Sequence, residues 1–183
     1  MTAALPALED PEDLDRFIHE VADFPVPGVA FKDITPLLAD PGALGRAIDA
    51  LARRVADAGI EVDRVVGIES RGFLLGTPLA LALGCGFIPV RKPGKLPREV
   101  RSEEYSLEYG TDGLEVHVDG IVAGHRVLIV DDVIATGGTA AATGRLVTGL
   151  GGEVVAFAFL MELTGLNGRD HIAEHPILSL LTY

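Results

Sequence analysis

Two kinds of hydrophobic pattern follow each other along this chain. In the N-terminal part, apolar residues recur at the three- and four-residue spacing of a helix, which predicts a short amphipathic helix over residues 11–22 and a longer one from Pro41 to Ala58. The segment between them, residues 24–38, is rich in proline and glycine and is predicted to be a fixed loop. Farther along the chain, continuous aliphatic runs replace the helical spacing.

Continuous aliphatic runs indicate strands that are buried on both faces. With the helical segments between them, they predict, in chain order, a strand at 62–70, a helix at 71–84, strands at 86–90 and 125–132, a helix at 137–151 and a strand at 153–163. This alternation predicts an α/β fold with a central parallel sheet flanked by helices. Ligands of such sheets bind beyond the carboxyl ends of the strands.

One long segment, residues 93–117, lacks a sustained period and mixes basic, acidic and aromatic positions. A connection of that length inside a compact domain is usually a functional lid or a hairpin excursion. Residues 105–118 alternate enough to form the base of a hairpin. Two interpretations therefore stay open: a mobile lid over a bound substrate, or a rigid β hairpin packed on the domain or on a partner subunit.

Composition limits the kinds of partner. The 183 residues are 48% hydrophobic, which is enough for one domain with a sizeable core. The formal net charge of −12 argues against nucleic acid or an anionic membrane as the main partner, because both are bound through fields of Lys and Arg. The single cysteine, Cys85, fits a reducing compartment, and no targeting or spanning segment is found, so we expect a cytoplasmic protein.

Candidate chemistry is concentrated in residues 127–142. An aliphatic strand ends in Asp131 and Asp132, and a loop of mostly small residues leads into the next helix. Free backbone N–H groups and the dipole at a helix start favour a phosphate. Carboxylates accept hydrogen bonds from vicinal hydroxyls or hold a hydrated Mg²⁺. The segment therefore predicts a sugar-phosphate site, and a strand-to-helix turn with a capping acid is the simpler alternative.

The cations of this acidic chain also cluster at predicted strand ends. Arg71 follows one strand, and Arg91, Lys92 and Lys95 follow the next. Because the carboxyl ends of parallel strands meet at one edge of the sheet, these side chains predict a site for a ligand group with several negative charges. A solvated basic turn is the alternative for residues 91–95.

The segment "VLIVDDVIATGGT", residues 127–139, resembles the phosphoribosyl-diphosphate (PRPP) motif of the type I phosphoribosyltransferases. Five more segments resemble the members of that family that act on adenine: 24–34, 67–76, 91–97, 105–110 and 162–169. The resemblance implies a single domain over residues 1–183 with the type I phosphoribosyltransferase fold. It also implies a hood made of about residues 1–35 with the C-terminal end, and a flexible lid over about residues 93–117.

The reaction implied by this resemblance is adenine plus PRPP giving AMP and diphosphate in purine salvage, assisted by Mg²⁺ and passing through an oxocarbenium-like transition state. A homodimer is also implied. Members that act on 6-oxopurines usually have an aspartate where this chain has Ala135, which favours adenine. The alternatives are transfer to another base, such as orotate or a 6-oxopurine, and a non-catalytic PRPP-sensing regulator that binds nucleic acid. Such a regulator commonly carries an added DNA-binding module, for which the residues before the segment 24–34 are too few.

The resemblance also assigns roles to residues. Arg71, Glu108, Asp131 and Asp132 are the expected catalytic residues, and the two aspartates would hold the ribose hydroxyls and Mg²⁺ through water. The other expected contacts are Ala135, Thr136, Gly137, Gly138 and Thr139 for the 5′-phosphate, Ser70, Gly72, Arg91, Lys92 and Lys95 for the diphosphate, Ala30, Phe31, Lys32 and Leu163 for the base, and Tyr109 on the lid.

Four of these assignments have simpler alternatives, and the alternative for Lys32 is a surface cation. Phe31 and Leu163 are equally well explained as core residues, and Glu108 as an exposed loop carboxylate instead of a group that handles a purine proton. The loop of Ser70, Arg71 and Gly72 is expected to contain a cis peptide bond.

Overall fold

A computed structural model describes residues 11–106 and 111–183 of the chain. In chain order its elements are a 3₁₀ helix (Pro11–Phe17), β1 (His19–Val21), β2 (Phe31–Asp33), α1 (Thr35–Ala39), α2 (Pro41–Asp57), β3 (Arg64–Ile68), α3 (Arg71–Leu83), β4 (Gly86–Val90), β5 (Val100–Ser106), β6 (Thr111–His117), β7 (Arg126–Ile134), α4 (Gly138–Gly149), β8 (Glu153–Glu162), two short 3₁₀ turns (Thr164–Leu166 and Gly168–His171) and β9 (Ile177–Thr182).

The centre of the fold is a five-stranded sheet in the order β4-β3-β7-β8-β9, and every neighbouring pair is parallel. Successive residues of β7 point to opposite faces: Leu128 and Val130 pack into the core with α2 and α3, whereas Val127 and Ile129 pack with α4 and with β5 and β6. The predicted α/β architecture is confirmed. Of the five strands of this sheet, only β9 was not predicted, because its short run "ILSLLT" gives little periodic signal.

The boundaries of α2 follow from its end residues. The side chain of Asp40 accepts a hydrogen bond from the Ala43 backbone N–H at 2.7 Å, and Pro41 occupies the first position, where a missing N–H costs nothing. After Asp57 the chain turns through Gly59, whose φ of +66° suits glycine. The predicted helix from Pro41 to Ala58 is therefore confirmed within one residue.

The predicted helix over residues 11–22 is wrong. A 3₁₀ helix ends at Phe17, and β1 then pairs antiparallel with β2 in the register His19 to Asp33 and Val21 to Phe31. Backbone pairing with a later segment outweighs the local helical spacing of the apolar residues. The predicted loop at 24–38 is wrong in part for the same reason, since it contains β2 and the start of α1.

The C-terminal end packs against this N-terminal hairpin. The Tyr183 hydroxyl is hydrogen-bonded to the Asp15 carboxylate, and the ammonium group of Lys32 lies 4.0 Å from the centre of the Tyr183 ring. The Thr164 backbone N–H donates to the Tyr183 carbonyl at 2.8 Å. These contacts place the C-terminal residue beside Asp15 and Lys32.

Most of the segment between β4 and β7 is a hairpin. β5 and β6 pair antiparallel, with Tyr105 opposite Asp112, and Leu114 and Val116 are fully buried against the sheet. The hairpin interpretation therefore describes this segment up to its tip. Residues 107–110, which include Glu108 and Tyr109, lie outside the described residues, and closure of the tip as a lid stays a prediction.

Within residues 11–106 and 111–183, no helix combines the length and the apolar character needed to cross a bilayer.

Candidate active site

A cleft of about 310 Å³ opens at the carboxyl edge of the sheet, between the end of β7, the start of α3 and the start of α4. Nine of the residues predicted for the site line it: Ser70, Arg71, Lys92, Asp131, Asp132, Ala135, Thr136, Gly137 and Thr139. Parallel strands explain the convergence, because their carboxyl ends meet at one edge.

The two acids lie inside β7 and not after it, because the strand continues to Ile134. Asp132 is only 3% exposed. Burial, and then the neighbouring Asp132 charge, raise the pKa of Asp131 well above its usual range; burial also raises the pKa of Asp132, against the lowering effect of Arg71. The pair is thus held where negative charge is costly.

Arg71 only partly compensates this buried charge. Its Nη1 lies 3.0 Å from Oδ2 of Asp132, but without the alignment of a hydrogen bond, and among the described residues that oxygen has no hydrogen-bond partner. A buried carboxylate oxygen without a partner is rare in folded proteins and is satisfied by a ligand, an ion or water. The site therefore offers an acceptor to a hydroxyl or to a hydrated cation.

The loop before α4 leaves its backbone N–H groups open. No side chain caps the start of α4 in the described part of the chain. Gly137 has a φ of +80°, and a Cβ atom there would lie 2.2 Å from the carbonyl oxygen of Gly168. Only glycine fits both conditions. Gly138 starts the helix itself, so the loop and the helix dipole together form a site for a phosphate.

The start of α3 forms the opposite wall. The Glu69–Ser70 peptide bond is cis, as expected for this loop, and Ser70 occupies the position just before the helix. Gly72 does not line the cleft. A Cβ atom on it would lie 2.8 Å from the Val130 carbonyl oxygen, so glycine lets α3 pack directly against β7 beside the two acids.

Arg91 and Lys95, predicted to contact a diphosphate, do not line the cleft and both pair with Glu69 instead. The Glu69 carboxylate lies 2.5 Å from Lys95 Nζ and 3.2 Å from Arg91 Nε, and it accepts the Lys92 backbone N–H at 3.0 Å. Burial alone raises the pKa of Glu69, but these hydrogen bonds outweigh it and lower the pKa to about 2.

Sequence reasoning missed two polar residues of the cleft, Glu69 and Tyr105. Glu69 had a signal, since it is an acid directly after a buried strand and faces a basic run after the next strand. For Tyr105, the only sequence feature that pointed to the site was its position in the segment 105–110. Its hydroxyl lies 3.1 Å from Asp112 Oδ2 and 3.2 Å from Lys92 Nζ.

A second, smaller cavity of about 90 Å³ adjoins the cleft across Arg71, which lines both. Its walls are mostly apolar, and the guanidinium carbon of Arg71 lies 5.2 Å from the centre of the Phe31 ring. The cavity is lined by the four residues predicted to contact a base, which are Ala30, Phe31, Lys32 and Leu163. Val29, Val133 and Met161 also line it and were not predicted from the sequence.

The ammonium group of Lys32 is a polar group of this second cavity. It donates to the Glu20 carboxylate at 2.8 Å and lies over the Tyr183 ring. The cavity is thus a slot with mostly apolar walls, and the ammonium group of Lys32 in it is already paired.

A metal ion held by protein side chains alone does not fit this site. The described residues contain no cluster of three or more His, Cys, Asp or Glu side chains suitable for a metal. The pair Asp131 and Asp132, with one unpartnered oxygen, fits an ion such as Mg²⁺ that keeps most of its waters and takes its other ligands from substrate phosphates.

Comparison with known proteins gives a consistent result. Residues 35–177 match the family model described as the phosphoribosyl transferase domain. The chain is 54% identical to the adenine phosphoribosyltransferase of Myxococcus xanthus, with all of both chains covered.

Solved structures agree with the sequence relatives. The adenine phosphoribosyltransferase of Thermoanaerobacter pseudethanolicus superposes with a TM-score of 0.91 at 50% identity, covering 94% of this chain and 99% of that one. The Saccharomyces cerevisiae enzyme, complexed with D-2,5-dideoxy-2,5-imino-altritol 1,6-bisphosphate and adenine, gives a TM-score of 0.90 at 44% identity, with 93% of this chain and 97% of that one covered.

The close approach of Gly137 to Gly168 gives a first prediction. Replacing Gly137 by alanine should displace the loop before α4, because its φ is positive and the new methyl group would meet the Gly168 carbonyl. We expect the Gly137→Ala variant to lose thermal stabilisation by AMP. Gly165→Ala is the matched control, since a Cβ atom there has no neighbour within 4 Å. Full stabilisation by AMP in Gly137→Ala would contradict a phosphate site in this loop.

The ion pairs of Glu69 predict a pH dependence of stability. Because the folded-state pKa of about 2 is below the ordinary value of 4.5, Glu69 stabilises the fold fully above about pH 4.5 and progressively less as pH falls toward 2. Glu69→Gln should therefore lower the free energy of unfolding more at pH 7 than at pH 3, measured with urea. In the control Glu61→Gln, an exposed partner of Arg126, a small effect is expected at both pH values. Equal losses for Glu69→Gln at both pH values would exclude the charge as the cause.

Proposed function

The chain belongs to the phosphoribosyltransferase family, and we propose that it is an adenine phosphoribosyltransferase, which converts adenine and PRPP into AMP and diphosphate. The observation that carries this proposal is the arrangement of two adjoining cavities. One combines two neighbouring carboxylates, of which Asp132 is buried, with the open start of a helix, and the other is a slot with mostly apolar walls. A phosphorylated sugar and a planar base fit these two environments, with the bond between them near Arg71.

In this proposal the phosphoribosyl group lies along the end of β7. Its 5′-phosphate accepts hydrogen bonds from the backbone N–H groups of residues 136–139, and its ribose hydroxyls donate to Asp131 and Asp132. The unpartnered Oδ2 of Asp132 supports this placement, because a hydroxyl donor would satisfy it. The raised pKa of each acid supports the same placement, because a carboxylate with a raised pKa is stabilised by positive charge close to it.

The reaction breaks the bond between ribose C1 and the diphosphate oxygen and forms a bond from C1 to N9 of adenine, which loses its proton. The diphosphate leaves with the bonding electrons, so positive charge develops on the ribose ring. Carboxylates placed beside that ring stabilise the charge without having to reorganise. Asp131 and Asp132 would also hold Mg²⁺, which neutralises diphosphate oxygens when it is bound.

The diphosphate is proposed to lie between Arg71 and Lys92, the two cations that line the cleft. Arg91 and Lys95 do not line the cleft, and both are paired with Glu69, which does. Gly72 contributes to the site by letting α3 pack closely against β7, and Gly138 contributes as the first residue of α4. In a chain with a net charge of −12, this local concentration of cations gives a diphosphate its binding site.

Adenine is proposed to occupy the slot of Ala30, Phe31, Lys32 and Leu163. The side chains that line this slot include no carboxylate, and the Lys32 ammonium is occupied by Glu20 and the Tyr183 ring. Among the described residues that line this slot, a 6-oxopurine would thus find no acid for its ring N–H. An unmatched polar group costs a substrate more binding energy than a missing apolar contact. The yeast relative that was solved with adenine supports this choice of base.

Several parts of the mechanism remain predictions. Glu108 and Tyr109 lie outside the described residues, and we propose that they reach the reacting centre when residues 93–117 close over PRPP as a lid. A cover is needed because water would compete with adenine for the developing cation. The hood, the cytoplasmic location and a homodimer are likewise proposed.

The role of the two acids predicts a loss of activity without a loss of fold. Replacing both by asparagine keeps their shape but removes the charge beside the ribose, so kcat/KM with PRPP should fall by roughly 10²-fold or more. Because burial raises both pKa values, the neutral side chains should leave the stability at pH 8 unchanged or higher. The control is Asp119→Asn, an exposed acid paired with Arg98. Near-normal turnover in Asp131→Asn/Asp132→Asn would exclude the proposed ribose and metal role.

The choice of base is tested directly by diphosphate release from PRPP with a panel of bases. The lining of the apolar slot predicts that kcat/KM for adenine exceeds that for hypoxanthine by roughly 10²-fold or more. Guanine and orotate should be equally poor. Comparable values for adenine and hypoxanthine would assign the chain to another specificity class, and no release with any base would reject catalysis altogether.

A further inference from the structure

A hydrogen-bonded cluster joins the hairpin to the phosphate-binding side of the cleft. It consists of Lys92, Tyr105, Asp112 and Thr139, which come from the loop after β4, from β5, from β6 and from α4, and which we call the Lys92 cluster. The Lys92 ammonium is paired with the Asp112 carboxylate and lies 3.2 Å from the Tyr105 hydroxyl. That hydroxyl also lies 3.1 Å from Asp112 Oδ2 and 3.4 Å from Thr139 Oγ1. Lys92, Tyr105 and Thr139 line the cleft, and Asp112 does not.

The donors of Lys92 determine what this cluster can do. An ammonium group has three N–H donors and no acceptor. Among the described residues, Asp112 and Tyr105 account for two of them, and both belong to the hairpin. The third donor is available to a ligand in the cleft without loss of the other two bonds. Held at two points, the ammonium group loses less rotational freedom when it binds an anion than an unrestrained lysine would.

We propose that Asp112 and Tyr105 are positioning residues, which hold Lys92 toward the diphosphate of PRPP and thereby tie the hairpin to occupation of the cleft. This inference rests on the proposed function. The Tyr105 hydroxyl extends the same bonding to Thr139 in the first turn of α4, beside the site proposed for the 5′-phosphate. A ligand with a phosphate at each end of its ribose therefore meets one connected set of side chains.

Tyr105 and Asp112 lie close to the tip of the hairpin, so their bonds to Lys92 connect the tip end of the hairpin to the cleft. Tyr105 and Asp112 are directly opposite each other in the β5–β6 register, and only one further pair, Ser106 with Thr111, separates them from the tip that contains Glu108. The described strand ends next to the tip are thus anchored by the same ammonium group that is proposed to bind the diphosphate. Any change in the direction of Lys92 is passed to the strand ends that carry the tip.

The charges in the cluster agree with this geometry. The hydrogen bond from Lys92 lowers the pKa of Asp112, although burial acts in the opposite direction. Burial by itself lowers the pKa of Lys92, but the hydrogen bonds to Asp112 and Tyr105 outweigh this effect and raise it. Both groups therefore stay charged at neutral pH. The Lys92 ammonium group also lies 5.7 Å from the centre of the Tyr105 ring.

Tyr105 also has a structural role, because it is only 8% exposed and its ring belongs to the core on the α4 side. Tyr105→Phe keeps that packing and removes only the hydroxyl, and Asp112→Asn keeps the size of the side chain and removes the charge. These two substitutions therefore test the positioning of Lys92 separately from the packing of the hairpin.

The test measures binding of pyrophosphate and AMP by calorimetry, together with KM for PRPP and kcat with adenine. Asp112→Asn should raise the Kd of pyrophosphate and the KM for PRPP roughly tenfold, the usual effect of losing a hydrogen bond to a charged group. Its kcat should change less than KM, and its Kd for AMP, which has no diphosphate, should stay at the wild-type value. Tyr105→Phe should raise the KM for PRPP in the same direction. The matched control is Ser102→Ala, which removes a hydroxyl bonded across the same hairpin to Glu115, outside the cleft.

A double-mutant cycle with Lys92→Met decides whether Asp112 acts through Lys92. In the Lys92→Met background, Asp112→Asn should have little further effect on pyrophosphate binding, because residues that act through one partner are not additive. Equal effects of Asp112→Asn with and without Lys92, or an equal loss of AMP and pyrophosphate binding, would overturn the proposal in favour of a merely structural role. If the wild-type protein binds neither PRPP nor pyrophosphate, the proposed function fails, whereas wild-type values in Asp112→Asn reject only the inference.

Discussion

The buried carboxylate pair at the end of β7 is the constraint on which the rest of the site depends. Asp131 and Asp132 continue the central strand, so their backbone is fixed by pairing with β8 on one side, and Asp132 is nearly inaccessible to water. Burial raises the pKa of both acids, and Arg71 supplies only an unaligned ion pair. Such a pair is stabilised when a ligand brings hydroxyl donors and positive charge, which is what a ribosyl group that develops an oxocarbenium-like charge provides.

Close backbone contacts hold the surroundings of this pair in place. Gly72 lets α3 begin directly against β7, and Gly137 lets the loop before α4 pack against Gly168. Each contact excludes even a methyl group, so the walls of the cleft are rigid on both sides of the acids. Three cations next to these walls are each held by a carboxylate: Arg91 and Lys95 by Glu69, and Lys92 by Asp112.

The sheet and the cleft were predictable because both follow from local patterns. Aliphatic runs mark buried strands, and the acids and glycines of residues 127–142 stand at a strand end and a helix start, where topology brings them together. The hood and the hairpin were harder, since β1, β2, β5 and β6 depend on pairing between segments that are distant or interrupted along the chain. Glu69 and Tyr105 were missed because their importance lies in contacts with other elements, which no spacing along the sequence records.

The central claim is that one ligand spans the end of β7, with its phosphate on the start of α4 and its base in the apolar slot. A crystal structure of the protein with AMP tests it most directly. The account predicts 5′-phosphate oxygens within hydrogen-bond distance of the backbone N–H groups of residues 137–139, ribose hydroxyls on Asp131 and Asp132, and adenine between Phe31 and Leu163. A phosphate bound instead to Arg91 and Lys95, with the apolar slot empty, would contradict it.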